Sequence, residues 1–207
     1  MAVAGTFSFL TLQTPVEGMY KERGSKFFAF AFPVQTEAEI KKILEGLRKK
    51  YFDATHHCYA WILGADKKYF RANDDGEPNH SAGAPILGQI KSKNLTNILV
   101  VVVRYFGGTK LGVGGLTQAY KSAAEIVLAN SKIIEVELEE SYVLKYDYVY
   151  SPDVMKLIKE FDLSIQSQNF ETVATMEVNV KLRLKEKFID KLILLNNTGT
   201  KIEFTVK

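Results

Sequence analysis

Hydrophobic and polar positions recur along this chain with two periods, and these sort it into strands and helices. Thr6 to Leu12 alternates with period two, as a half-buried strand does. Gly18 and the pair Gly24-Ser25 punctuate the stretch that follows, and the aromatic-rich run Lys26 to Val34 reads as a second strand closed by Pro33. Thr36 with Glu39 three residues on predicts a capping box. Ile40, Ile43, Leu44 and Leu47 then form the apolar stripe of a helix running to Lys50. His56 to Leu63 reads as a strand and Tyr69 to Arg71 as its hairpin partner. A polar, turn-rich loop, Asn73 to Pro85, comes next. Ser81 or a neighbour is the expected cap of a short helix with Pro85 in its first turn, ending near Lys93-Asn94.

The most apolar run, Asn97 to Val103, predicts a strand buried on both faces. Arg104 stands where that strand leaves the core. Gly107, Gly108, Gly112, Gly114 and Gly115 follow, and a helical pattern begins at Leu116 and ends around Asn130-Ser131. Strand, glycine loop and helix start can form an anion cradle, because unpaired N–H groups and the helix dipole point the same way. Arg104, Thr109 and Lys110 with Gly107, Gly108, Gly114 and Gly115 are the candidate binding residues. The spacing fits neither a Walker A loop nor a dinucleotide fingerprint. The alternative is that these glycines only make a tight turn packed on neighbouring backbone.

Ile133 to Glu139 reads as a strand, and a domain boundary is expected around Glu139-Glu140, giving domains 1–139 and 140–207. Beyond it come a strand from Tyr142 to Tyr150, a helix capped by Ser151 with Pro152 at its start, strands at Leu163 to Gln168 and Thr172 to Lys181, a helix from Lys185 to Asn196, and a last strand from Thr200 to Val206. The order β-α-β-β-α-β reads as a ferredoxin-like domain.

Composition narrows the class. The 207 residues are 46% hydrophobic and 25% charged, as in an ordinary soluble globule. No apolar run reaches membrane-spanning length and the N-terminus does not read as a leader, so a cytoplasmic location and no membrane partner are expected. The single cysteine, Cys58, excludes an internal disulfide and suits a reducing compartment. Residues 1–135 carry 17 basic and 12 acidic side chains and the rest 10 and 12, so an anionic partner would meet the first part. His56, Asp74, Asp75, Glu77 and His80 make a candidate polar cleft. His56 and Cys58 can share a strand face that His57 does not. EF-hand spacing is absent, and neither a metal site nor a cofactor is expected. Lys21 to Phe28 and Lys67 to Arg71 interleave basic and aromatic residues, a pattern that can stack on bases where it is exposed.

Several blocks carry a family resemblance. They are Ser25-Lys-Phe27, Thr55-His56 with Cys58 and Ala60, Asp74-Asp-Gly-Glu-Pro78 with Ala82-Gly83, Ile86-Leu87 with Ile90 and Leu95, and Val101-Val102 with Arg104-Tyr-Phe-Gly-Gly108 and Leu111-Gly112. Together they resemble the IMPACT family in its bacterial, YigZ-type form, over nearly the whole chain. The chain departs from the family at His57, at Asn79-His80 and at Gln118, where the family often has an arginine. The resemblance implies an α+β two-domain protein. Its N-terminal βαβ domain would be of the kind shared by RNase PH, the GHMP kinases and a domain of elongation factor G (the ribosomal-protein domain-2 type), with a left-handed crossover. Its C-terminal domain would be similar to the last domain of elongation factor G.

The resemblance also implies translation-associated regulation, although the mechanism of the eukaryotic relatives rests on an N-terminal domain not found in this sequence. The expected function is a non-catalytic regulator, monomeric or a small homo-oligomer, that binds RNA, a ribosome or a translation factor. The alternatives are an enzyme acting on a small phosphorylated or peptide-like substrate at the acidic-loop and glycine-loop cleft, and a protein-binding module using the C-terminal sheet.

Overall fold

The computed structural model describes residues 7–170 and 173–207. The expected strand ends at Thr6 and Thr172 lie outside the described residues. The fold is mixed α/β, in two compact units, Met1–Val136 and Glu137–Lys207.

The first unit is built on a five-stranded sheet in the order β2-β3-β6-β4-β5. The strands are β2 (Val16–Glu22), β3 (Ser25–Pro33), β4 (His56–Leu63), β5 (Tyr69–Asn73) and β6 (Ile98–Tyr105). β6 is central and runs antiparallel to β3 and to β4, so those two are parallel and need a crossover. Helix α1 (Glu37–Lys50) supplies it; α2 (Gly83–Ser92) likewise joins β5 to β6. Val100 to Val103 are each fully buried, because alternate valines serve two cores. Val100 and Val102 pack with Phe27, Ala29, Cys58 and Ala60 under α2 and α3 (Gly112–Ala129). Val101 and Val103 pack with Phe30, Tyr59 and Trp61 under Ile40 and Leu47 of α1. β1 (Ser8–Leu12) and β7 (Ile133–Glu137) form a separate two-stranded sheet.

Several local expectations change. β2 replaces a stretch read only as punctuation. It is an edge strand whose even-numbered residues are half-buried and odd-numbered ones exposed, and Gly18 interrupts its apolar side. A Cβ at Gly18 would lie 3.2 Å from Ile126 Cγ2, so the glycine lets α3 close on the strand. Helix α3 starts at Gly112 rather than Leu116, which leaves Gly107 and Gly108 in the loop and puts the other three glycines in the first helical turn. Helix α4 (Ser151–Phe161) has Tyr150 at its N-cap, so Ser151 is its first residue rather than its cap.

In the second unit, β8 (Glu139–Tyr146), α4, β9 (Ser164–Phe170), β10 (Ala174–Lys181), α5 (Lys185–Asn197) and β11 (Ile202–Val206) follow in that order. Their sheet runs β11-β8-β10-β9 with all neighbours antiparallel. Tyr142, Leu144, Met176 and Val178 face a core closed by Leu157 of α4 and Phe188 of α5. Tyr148–Tyr150 is a 3₁₀ turn rather than the end of the strand, started by Asp147, whose side chain accepts from the Tyr148 N–H.

Candidate functional site

The loop between β5 and α2 sends its three carboxylates in three directions. Asp74 faces the start of α2, which has no side-chain cap of its own. Its Oδ1 accepts from the N–H groups of Ala82 (3.0 Å) and Gly83 (2.8 Å), and its Oδ2 from His80 N–H at 2.9 Å. The expected cap, Ser81, instead donates its hydroxyl to Pro78 O. Burial would raise the Asp74 carboxyl, but the N–H donors of His80, Gly83 and Ala82 outweigh it and hold the group below the ordinary carboxylate range. Asp75 reaches back to β4 and α1, where Oδ2 accepts from His57 N–H at 2.7 Å and Oδ1 from Arg48 Nη2 at 3.0 Å. The loop can turn this way because Asp75, Gly76 and His80 take positive φ, at 45°, 88° and 63°.

Glu77 points inward and is only 8% exposed. Its Oε1 accepts from Arg104 Nη1 at 2.6 Å and from the Tyr120 hydroxyl at 2.8 Å, and His56 Nε2 lies 3.9 Å away. His56 Nδ1 is 2.7 Å from Asp75 O, so that nitrogen carries the hydrogen in a hydrogen bond to the carbonyl. Cys58 Sγ sits 3.0 Å from Asp74 O and 3.3 Å from the Tyr120 hydroxyl. Burial pushes both the Cys58 thiol and the Tyr120 phenol well up from their ordinary values, so each stays protonated and Cys58 is no thiolate nucleophile. The Arg104 guanidinium lies 5.5 Å from the Phe27 ring centre and 5.7 Å from that of Phe106, and its Nε has no hydrogen-bond partner among the described residues.

Arg104 is thus a buried partner of Glu77, 5% exposed, and not a cation open to an anion in the glycine loop. Gly107 is committed as well. Its N–H donates to Ser25 Oγ at 3.2 Å, and a Cβ on it would fall 1.9 Å from the Gly24 carbonyl carbon. Here the glycine serves a backbone-on-backbone contact. Gly108, Thr109 and Lys110 are exposed, with Gly108 at a φ of 87°. Gly114 and Gly115 lie in the uncapped first turn of α3, which has no acidic residue.

A sequence model of the Impact N-terminal domain matches residues 23–128, which hold both loops and every member of the Glu77 network. The chain belongs to the IMPACT family. IMPACT family member YvyE of Bacillus subtilis is 29% identical over 95% of this chain and 90% of its own. IMPACT family member YigZ of Escherichia coli is 29% identical over 89% of this chain and 92% of its own. A crystal structure described as that of a hypothetical protein superposes with a TM-score of 0.72 at 28% identity, covering 95% of this chain and 97% of that one.

In this IMPACT chain the fold brings His56, Glu77 and Arg104 together, with Asp75 joining through its carbonyl, while Thr109 and Lys110 lie in the exposed loop before α3. His80 joins through its backbone N–H and through its charge near Asp74. Tyr120 and Arg48 were not among the residues singled out from sequence. A signal for Tyr120 exists: it sits on the apolar face of α3 between Leu116 and Ala124, where a buried hydroxyl must find a partner. Arg48 gave none, since it is one of three basic residues closing α1. Among the described residues no three His, Cys, Asp or Glu side chains converge as a metal site.

Proposed function

We propose that this IMPACT chain is a non-catalytic, translation-associated cytoplasmic protein that binds RNA, bare or in a ribonucleoprotein, through its first unit. One observation carries the reading: the acidic loop keeps its carboxylates for the fold, while lysines beside the glycine loop and the β2–β3 turn stay open. The carboxylates of the acidic loop are turned inward and bonded to the fold's own donors, whereas Lys21, Lys26 and Lys110 are exposed and make no ion pair among the described residues. Unpaired exposed lysines bind phosphate at little desolvation cost. The second unit offers less for a nucleic acid. The outward positions of β8 and β10, namely Ser141, Val143, Lys145, Thr175, Glu177 and Asn179, carry no aromatic ring on which a base could stack. Its β-α-β-β-α-β order and strand order support the ferredoxin-like assignment of 140–207, and the sheet with its two crossovers supports the RNase PH and GHMP-kinase type for 1–139.

The enzyme reading has one observation behind it, the 3.9 Å approach of His56 to Glu77. Against it, Glu77 Oε1 already accepts two hydrogen bonds, and Asp74 and Asp75 serve as cap and clamp.

Titration of the full chain with a fluorescein-labelled 12-mer of uridylate, and separately with ribosomes, tests the reading. Binding should weaken as salt rises, with a log–log slope of about −2 for three neutralised phosphates on a single strand. No binding at low salt, or binding indifferent to salt, overturns it.

A further inference from the structure

On the face of the first sheet that packs on α1, two clefts share one aromatic stack. Phe28 and Tyr51 form it, with ring centres 6.0 Å apart and planes within 24°. The first cleft, about 450 Å³, is lined by Lys26, Phe28, Tyr51, Asp53, Tyr105 and Phe106. The second, about 380 Å³, shares Phe28 and Tyr51 and adds Met19, Lys50 and Glu17. Phe106 is 49% exposed and Met19 43%. Backbone packing of Gly107 on Gly24 fixes the Phe106 loop beside the β2–β3 turn, so the first cleft is built by the fold.

The charges at the rim are unusual. Lys21 and Lys26 are direct partners across β2 and β3, and both are exposed. Like charges opposite one another destabilise a strand pair, and neither lysine has an acidic partner among the described residues. Lys26 in turn faces Tyr105 of β6, and Lys50 Nζ lies 5.1 Å from the Tyr51 ring centre. The counter-charges are Asp53, whose Oδ1 accepts from the Tyr105 hydroxyl at 2.7 Å, and Glu17 in the second cleft.

Resting on the RNA reading above, we infer that this surface is the base-stacking subsite: two successive nucleotides of a single strand place their bases in the clefts that share Phe28 and Tyr51, with phosphates on Lys21 and Lys26. Aromatic rings beside unpaired lysines are what an unstacked, anionic strand requires. An acidic peptide has no use for the rings and meets Asp53 and Glu17 as repulsion, whereas base N–H groups, the uracil N3–H included, can donate to those carboxylates.

The test uses the full chain and a fluorescein-labelled 12-mer of uridylate, followed by anisotropy, with a 5-bromouridine version cross-linked by light and mapped by mass spectrometry. Phe106→Leu should weaken binding about tenfold, and Lys26→Gln should lower the salt slope by about one. Cross-links should fall on Phe28, Tyr51, Tyr105 or Phe106. If the wild type binds but both variants bind like it and the cross-links map elsewhere, the subsite is wrong and the RNA reading stands. If the wild type ignores the RNA and captures poly-glutamate, both readings fall. The cross-link map on the wild type decides the case even if Phe106→Leu does not fold.

Discussion

Glu77 has the burial of a core residue and the chemistry of a catalytic one, and its partners decide between the two. Arg104 and Tyr120 donate to one of its oxygens inside the core under α2 and α3. Removing one member of such a pair leaves the other charged and buried, so Glu77→Leu should cost about 3–5 kcal/mol in urea unfolding. The double change Glu77→Leu with Arg104→Met should cost clearly less than the sum of the singles, and additive costs would show that the two do not act as a pair. His57 makes the opposite case, because the strand turns it away from that network. Burial lowers its pKa below the ordinary imidazole value, against the pull of Asp75. The unfolded chain therefore binds the proton first as pH falls. Stability should be flat above about pH 7.5, fall as pH drops through about 6.5, and level off below the folded-state value. His57→Gln should remove that slope in melts taken between pH 5 and 8.

At the scale of elements, the chain's local signals specify some ends and miss others. Thr36 caps α1 as the spacing predicts, accepting from Glu39 N–H at 3.2 Å. The return bond goes from Gln35 N–H to Glu39 Oε2, one residue earlier than the standard box. Helix α2 is capped from outside its own segment by Asp74, eight and nine residues before the N–H groups it serves. No periodicity argument finds such a cap, since it depends on the loop folding back. Asp74→Ala should lose about 1–2 kcal/mol of stability, with hydrogen exchange in Gly83–Ser92 rising ahead of the rest of the first unit. Equal protection across that unit would show that Asp74 is not the cap. Strand β2 was illegible for a related reason: Gly18 and exposed Met19 break its alternation, and only the approach of α3 explains the glycine.

For the whole molecule, the two units meet the chain at Val136/Glu137, a few residues before the boundary read at 139/140. Glu137 lies on the second unit's side of that junction. It pairs with Lys181 and Arg183 of the second unit, and those two hold its carboxyl below the usual range. Residues 137–207 expressed alone should melt in one cooperative transition, and a fragment beginning at 140 should melt lower. A fragment from 137 without a cooperative melt would make the second unit dependent on the first. Much of this was determined by sequence alone: the doubly buried central strand, the α-helices of both units, the β-α-β-β-α-β order and the family. Those follow from local periodicity and from motifs contiguous in the chain. The tertiary structure alone decided what the motif residues do. It buried Arg104 against Glu77, spent Asp74 on a helix start and Gly107 on a backbone contact, and left Lys26, Tyr51 and Phe106, distant in sequence, around one open cleft. A residue's type sets which interactions it can make, but whether it is still free for a ligand depends on partners that only the folded chain brings within reach.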